Sequence, residues 1–70
     1  MNVKEFLEKH PEVKMFDYTW YKPDGSQEID YVTRAELEAN PIICSRTITN
    51  PDTCLEEIAP NEIMAYLDLK

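Results

Sequence analysis

"YKPDGSQEIDY", residues 21–31, is the stretch on which the fold turns. Pro23-Asp24-Gly25-Ser26 is turn chemistry, with Pro presetting the φ of a type I turn and Gly accepting a left-handed conformation. Ahead of it, "VKMFDYTWYK" (13–22) alternates and is rich in aromatics, a strand signature, and a second strand is expected from about Gln27 to Val32. The register of this hairpin decides where Asp17, Glu28 and Asp30 point. A three-residue loop pairs Trp20 with Glu28 and Tyr18 with Asp30, mixing the faces, whereas a four-residue loop pairs Trp20 with Ile29 and Tyr18 with Tyr31. Burial of one face favours the second. Phe16, Tyr18, Trp20, Ile29 and Tyr31 then form the inner face, and Asp17, Glu28 and Asp30 share the outer one with Thr19 and Tyr21.

Working outward, Asn2 with Glu5 three on is close to a capping box, and Val3, Phe6 and Leu7 fall on one face of a first helix that Pro11 ends. Thr33-Arg34-Ala35-Glu36 is a second capping box with Val32 placed to staple onto Leu37, so a short helix should run to about Ala39. "IICSRTI" (42–48) is β-branched and reads as a third strand. "NPDTCLEEIAP" (50–60) offers Asn50 with Pro51 at a first helical position, or Thr53 with Glu56, and predicts a helical turn through Ile58. In "NEIMAYLDLK" (61–70), Ile63, Met64 and Leu67 suit a helix, while Ile63, Ala65, Leu67 and Leu69 suit a strand; the helix is the favoured reading. The expected fold class is α+β, one small acidic domain over residues 1–70 with a three-stranded antiparallel sheet and short helices.

Length and composition agree with one domain. Seventy residues leave no room for a second, and an apolar fraction of 43% with a single Gly argues for a globular chain. The start, "MNVKEFLEKHPEVK", carries charges at every second or third position and is expected to be neither signal peptide nor membrane span, placing the chain in the cytoplasm. Cys44 and Cys54 are too few for a disulfide scaffold and are ten apart, without the C-x-x-C spacing of redox or zinc motifs, so reduced, buried thiols are expected. His10 falls at the end of the first helix, where a cationic ring suits the dipole.

The net charge is −7, and its distribution is uneven. Residues 1–23 balance four acids with four lysines, while residues 24–70 hold ten acids against Arg34, Arg46 and Lys70. Phosphate backbones require clustered Lys and Arg, so direct nucleic-acid binding is not expected and a basic partner is favoured. The aromatics are assigned to core packing, since RNA-stacking sheets add basic residues and this one adds acids.

"DGSQEIDYVTRAEL" resembles the second half of a calcium-binding EF-hand loop. Alignment on Ile29 places Lys22 at the first ligand, Gln27 where Gly is needed and Thr33 where the bidentate Glu belongs, which removes the calcium site. Asp17, Glu28 and Asp30 have the chemistry for a hard cation or an acid/base pair, but an exposed sheet face lacks the cleft such chemistry needs. A single Gly provides no phosphate cradle, and Ser26 and Ser45 lie in no nucleophile elbow. No cofactor, metal or catalysis is expected.

Two modes of action remain. The first is a small acidic inhibitor that occupies the basic, normally nucleic-acid-binding surface of another protein. Carboxylates at i and i+2 on a strand stand about 6.6 Å apart, close to two axial phosphate steps of ~3.4 Å. Glu28 and Asp30, flanked by Asp17 and followed by Glu36, Glu38, Asp52, Glu56, Glu57 and Glu62, are the expected charge track, with Tyr21 or another exposed aromatic as the anchor. In size and charge the chain resembles small phage-encoded proteins that block host restriction, CRISPR or transcription machinery, which act in the host cytoplasm. The second is a structural or regulatory module that homodimerises through an edge strand or joins a larger assembly, with acidity serving solubility.

Overall fold

The computed structural model describes residues 1–70 as helix α1 (Val3–Lys9), strands β1 (Met15–Tyr21) and β2 (Gln27–Thr33), helices α2 (Arg34–Glu38) and α3 (Pro41–Cys44), and strands β3 (Leu55–Ala59) and β4 (Glu62–Leu69). The class is α+β, as the patterning implies, but the sheet has four strands in the order β2-β1-β4-β3 and is mixed. β1 pairs antiparallel with β2 and parallel with β4, and β3 pairs antiparallel with β4.

Both capping boxes form. Asn2 and Glu5 exchange bonds at α1, Thr33 and Glu36 do so at α2, and Val3, Phe6, Leu7, Val32 and Leu37 are all buried. The expected strand at 42–48 is instead α3 followed by isolated bridges at Thr47 and Ile48. Its start explains why: Asn40 Oδ1 accepts from the Ile43 amide at 3.1 Å and Pro41 occupies the first helical turn, so a cap overrides β-branched propensity.

Asn50-Pro51 repeats the dipeptide with another outcome. The Asn50 side chain donates to Tyr66 O and accepts from the Asp68 amide, both at 2.9 Å, so it serves as a partner of β4 rather than as a cap. The helical turn expected through Ile58 is therefore a turn at 51–53 followed by β3. The helix favoured for the tail is β4, with Ala65, Leu67 and Leu69 buried on one side at period two. Pro60 and a left-handed Asn61 (φ 64°) make the β3–β4 turn, a conformation that Asn tolerates.

The hairpin register also differs from expectation. Tyr18 pairs with Asp30, Trp20 with Glu28 and Tyr21 with Gln27. The Lys22 amide bonds Ser26 O at 2.9 Å, the Gly25 amide bonds Lys22 O at 3.1 Å, and Gly25 sits at φ +88°. That is a three-residue loop closed by a type I turn and a left-handed glycine, reinforced by Asp24 Oδ1 accepting from the Ser26 amide and hydroxyl. Turn chemistry thus outweighs the burial of Ile29 and Tyr31, which are 65% and 57% exposed.

One buried cluster runs from α1, through Phe16, Tyr18, Val32, Ala65, Leu67 and Leu69 of the sheet, to Leu37 and Ile43 of the short helices. All of these sheet positions share one face, so the helices cover that face and the other is left without a second layer. Arg34 ties the layers together: its guanidinium donates to His10 O and Val13 O, each at 3.0 Å, and to Leu7 O, and its Nε pairs with Glu38 at 2.9 Å.

Candidate functional site

The uncovered face is built by pairing. Hydrogen-bonded neighbours project to the same side of a sheet, so the register sets side chains in rows across the strands. Tyr31, Asp17 and Tyr66 form a row across β2, β1 and β4. Ile29, Thr19 and Asp68 form the next, and Thr33, Met15, Met64 and Glu56 another that reaches β3. Tyr21 extends β1 at the turn end of this face. Tyr21, Ile29, Tyr31 and Tyr66 are all exposed, and Asp17 and Asp68 half-buried. Met64 is buried here, outside the main core, and gives the face an apolar floor.

The charge on this face has one sign. Asp17, Glu56, Glu62 and Asp68 are its acids, and no Lys or Arg occupies a strand position on it. At one end a groove of about 310 Å³ opens between Met15, Tyr31 and Ile58, rimmed by Glu12, Lys14 and Glu62. The Glu12 carboxyl lies below its ordinary range through a bond from its own backbone and contact with His10, whose Nδ1 stands 3.1 Å away.

The residues singled out from the sequence divide between the two faces. Asp17, Tyr21 and Glu56 lie on the uncovered one. Glu28 and Asp30 do not share it with Asp17, because the register turns them to the side of Tyr18. Glu28 accepts from the Tyr18 hydroxyl at 2.8 Å and stands 3.7 Å from Lys22 Nζ. Burial, with that bond to Glu28, holds the Tyr18 phenol well above its ordinary pKa. Asp30 Oδ1 accepts from the Tyr31 amide at 2.9 Å, so its carboxylate caps the open edge of β2. Glu36 is held in the α2 capping box, where the Thr33 amide and hydroxyl lower its pKa. Glu57 pairs with Ile63 and faces away from Glu56. The expected charge track is therefore not one surface.

Ile29 and Tyr31, expected on the inner face, belong to the uncovered one, as do Tyr66 and Asp68, which the favoured helix for the tail left unplaced. The signal for Ile29 and Tyr31 was the three-residue loop, and for Tyr66 and Asp68 the strand alternative for the tail: if Ala65, Leu67 and Leu69 point inward, Tyr66 and Asp68 must point outward. No group of three or more His, Cys, Asp or Glu side chains gathers at metal-binding spacing. Cys44 and Cys54 are unpaired thiols whose pKa values burial raises, Cys44 donating to Leu37 O at 3.2 Å. No helix is long and apolar enough to cross a membrane. Comparison with known proteins finds no matching family model, no matching curated sequence and no matching solved structure.

Proposed function

We propose that the protein acts by binding rather than by chemistry, using its uncovered sheet face to occupy an arginine- or lysine-bearing surface of another protein, of the kind that otherwise holds nucleic acid. The observation that supports this reading is the row Tyr31, Asp17, Tyr66 on a face with no Lys or Arg at a strand position. A carboxylate between two tyrosines suits a guanidinium, which pairs with the acid through its planar fork and stacks on the rings. Ile29 and the groove beside Tyr31 supply apolar contact around that charged centre. A homodimer through the same face would set Asp17, Glu56 and Asp68 near their own copies, a like-charge arrangement that disfavours self-pairing.

The test is capture from lysate of the source or host cells with wild type and with Tyr31→Ala/Tyr66→Ala, eluting in rising salt and competing with nucleic acid. A nucleic-acid-handling protein should be held by wild type, released at moderate salt, displaced by nucleic acid and retained poorly by the double variant. Capture indifferent to salt and to both substitutions would sink the reading.

A further inference from the structure

Against a net charge of −7, one cleft is cationic. It has a volume of about 390 Å³ and lies where the end of β1, the last residues of β4 and the segment 46–49 meet. Lys22, Arg46 and Lys70 line it with Tyr21 and Thr49, and no Asp or Glu does. Three of the chain's seven basic residues therefore converge on a single recess.

Beneath them lies Trp20. Lys22 Nζ stands 5.0 Å and the Arg46 guanidinium carbon 4.9 Å from its ring centroid. Trp20 Nε1 and Arg46 Nε are the buried side-chain polar atoms that have no hydrogen-bond partner. Buried donors are ordinarily satisfied, so each such atom calls for an explanation, and here two occur side by side. Covering an indole with cations accounts for the stacking, and Lys22 also stands 3.7 Å from Glu28, but neither accounts for two orphaned N–H groups beside a recess that no Asp or Glu lines.

The position of Arg46 is built, not incidental. Its carbonyl accepts from the Val3 amide at 3.0 Å, Thr47 O accepts from the Lys70 amide at 2.9 Å, and the Thr49 amide donates to Asp68 O at 2.8 Å. The segment is thus pinned between the start of α1 and the end of β4, which fixes the backbone of Arg46 relative to that of Lys70.

We infer that this cleft binds a small phosphate-bearing molecule. A phosphate group offers several strong acceptor oxygens and up to two negative charges, matching the Arg46 guanidinium with Lys22 and Lys70 lining the same recess. The recess has the size of a small-ligand site, and three cations are too few to track a nucleic-acid backbone. An anion seated there draws Arg46 partly off the indole, giving its Nε an acceptor. This inference is independent of the sheet-face reading.

The experiment is a titration of the ¹⁵N-labelled full chain with sodium pyrophosphate at constant ionic strength, following the Trp20 indole N–H and Arg46 Nε–H resonances. Both should shift saturably, and Arg46→Gln should weaken binding at least tenfold. Lys22→Gln, which replaces a half-buried side chain that makes no backbone bond in the fold, should weaken it several-fold and carries the test if Arg46→Gln does not fold. ADP binding more tightly than pyrophosphate would extend the ligand to a nucleotide stacked on Tyr21, and equal binding would restrict recognition to the phosphates. No saturable shift, a shift reproduced by sodium chloride, equal affinity for acetate, or unchanged binding by Lys22→Gln would each overturn the inference.

Discussion

The Tyr18 hydroxyl donates to Glu28 at 2.8 Å across the β1–β2 pair, from a residue that is 3% exposed to one whose side chain still reaches water. The bond reconciles the hairpin with its turn. The three-residue loop places Glu28 and Asp30 on the core side, and a half-buried acid there requires a donor. The phenol supplies it, while Lys22 approaches from the other side.

Removing either partner should have unequal effects. Tyr18→Phe deletes one bond and leaves Glu28 to water and Lys22, a loss of about 0.5–1.5 kcal/mol. Glu28→Ala leaves a buried hydroxyl unpartnered and should cost about 1–3 kcal/mol. Urea unfolding of the two single variants and the double variant checks this: the double variant should lose less than the sum. Strict additivity would show that the bond contributes nothing.

Arg34 makes a different connection. Its guanidinium serves three carbonyls at the end of α1 and in the segment that follows, which a lysine ammonium on a flexible stem does not reproduce. Arg34→Lys should therefore destabilise by about 2–3 kcal/mol despite keeping the charge. Glu38→Gln, which removes only the exposed ion pair, should change stability by less than ~1 kcal/mol. Thermal unfolding of the two variants side by side separates carbonyl capture from charge pairing.

Local chemistry was legible where one residue type has one use. The two boxes that start with Asn2 and Thr33 were readable because each polar pair satisfies amides a helix start must satisfy somewhere. The hairpin was readable but its register was not, because Pro23-Asp24-Gly25 and the alternation of Tyr18, Ile29 and Tyr31 gave opposite instructions. Gly25 at φ +88° shows that the turn prevailed. The parallel β1–β4 pairing left no local trace, since it joins residues nearly fifty apart, and with it went the row that sets Tyr66 beside Asp17. The candidate face was thus hidden in part by the hairpin register, which misplaced Ile29 and Tyr31, and in part by a long-range contact.

Glu36 should report acid sensitivity. Bonds from the Thr33 amide and hydroxyl depress its folded pKa below the ordinary 4.5. A depressed carboxyl contributes stability that is complete above its unfolded pKa and is lost as pH falls through the folded value. Gln at this position keeps the capping geometry without titrating. Wild type should exceed Glu36→Gln in melting temperature at pH 7, and the difference should shrink as pH drops below about 4.5. A difference constant from pH 7 to pH 3 would show that the charge of Glu36 has no part in the cap.

Asn40 and Asn50 precede Pro41 and Pro51 in the same dipeptide, and their substitutions should separate two mechanisms. Asn40 accepts one amide bond at the start of α3, so Asn40→Ala should cost about 0.5–2 kcal/mol and Asn40→Asp, also a good cap, much less. Asn50 both donates to Tyr66 O and accepts from the Asp68 amide, which requires an amide group. Asp in its place keeps the acceptor but faces Tyr66 O with a second oxygen, so Asn50→Asp should destabilise by about 1–3 kcal/mol. Because these bonds hold the strand that carries Tyr66 and Asp68, Asn50→Asp should also speed amide exchange at Asp68 while leaving α3 unchanged. Equal tolerance of Asp at both positions would mean that Asn50 acts as a simple turn residue and that β4 is held by its strand neighbours alone.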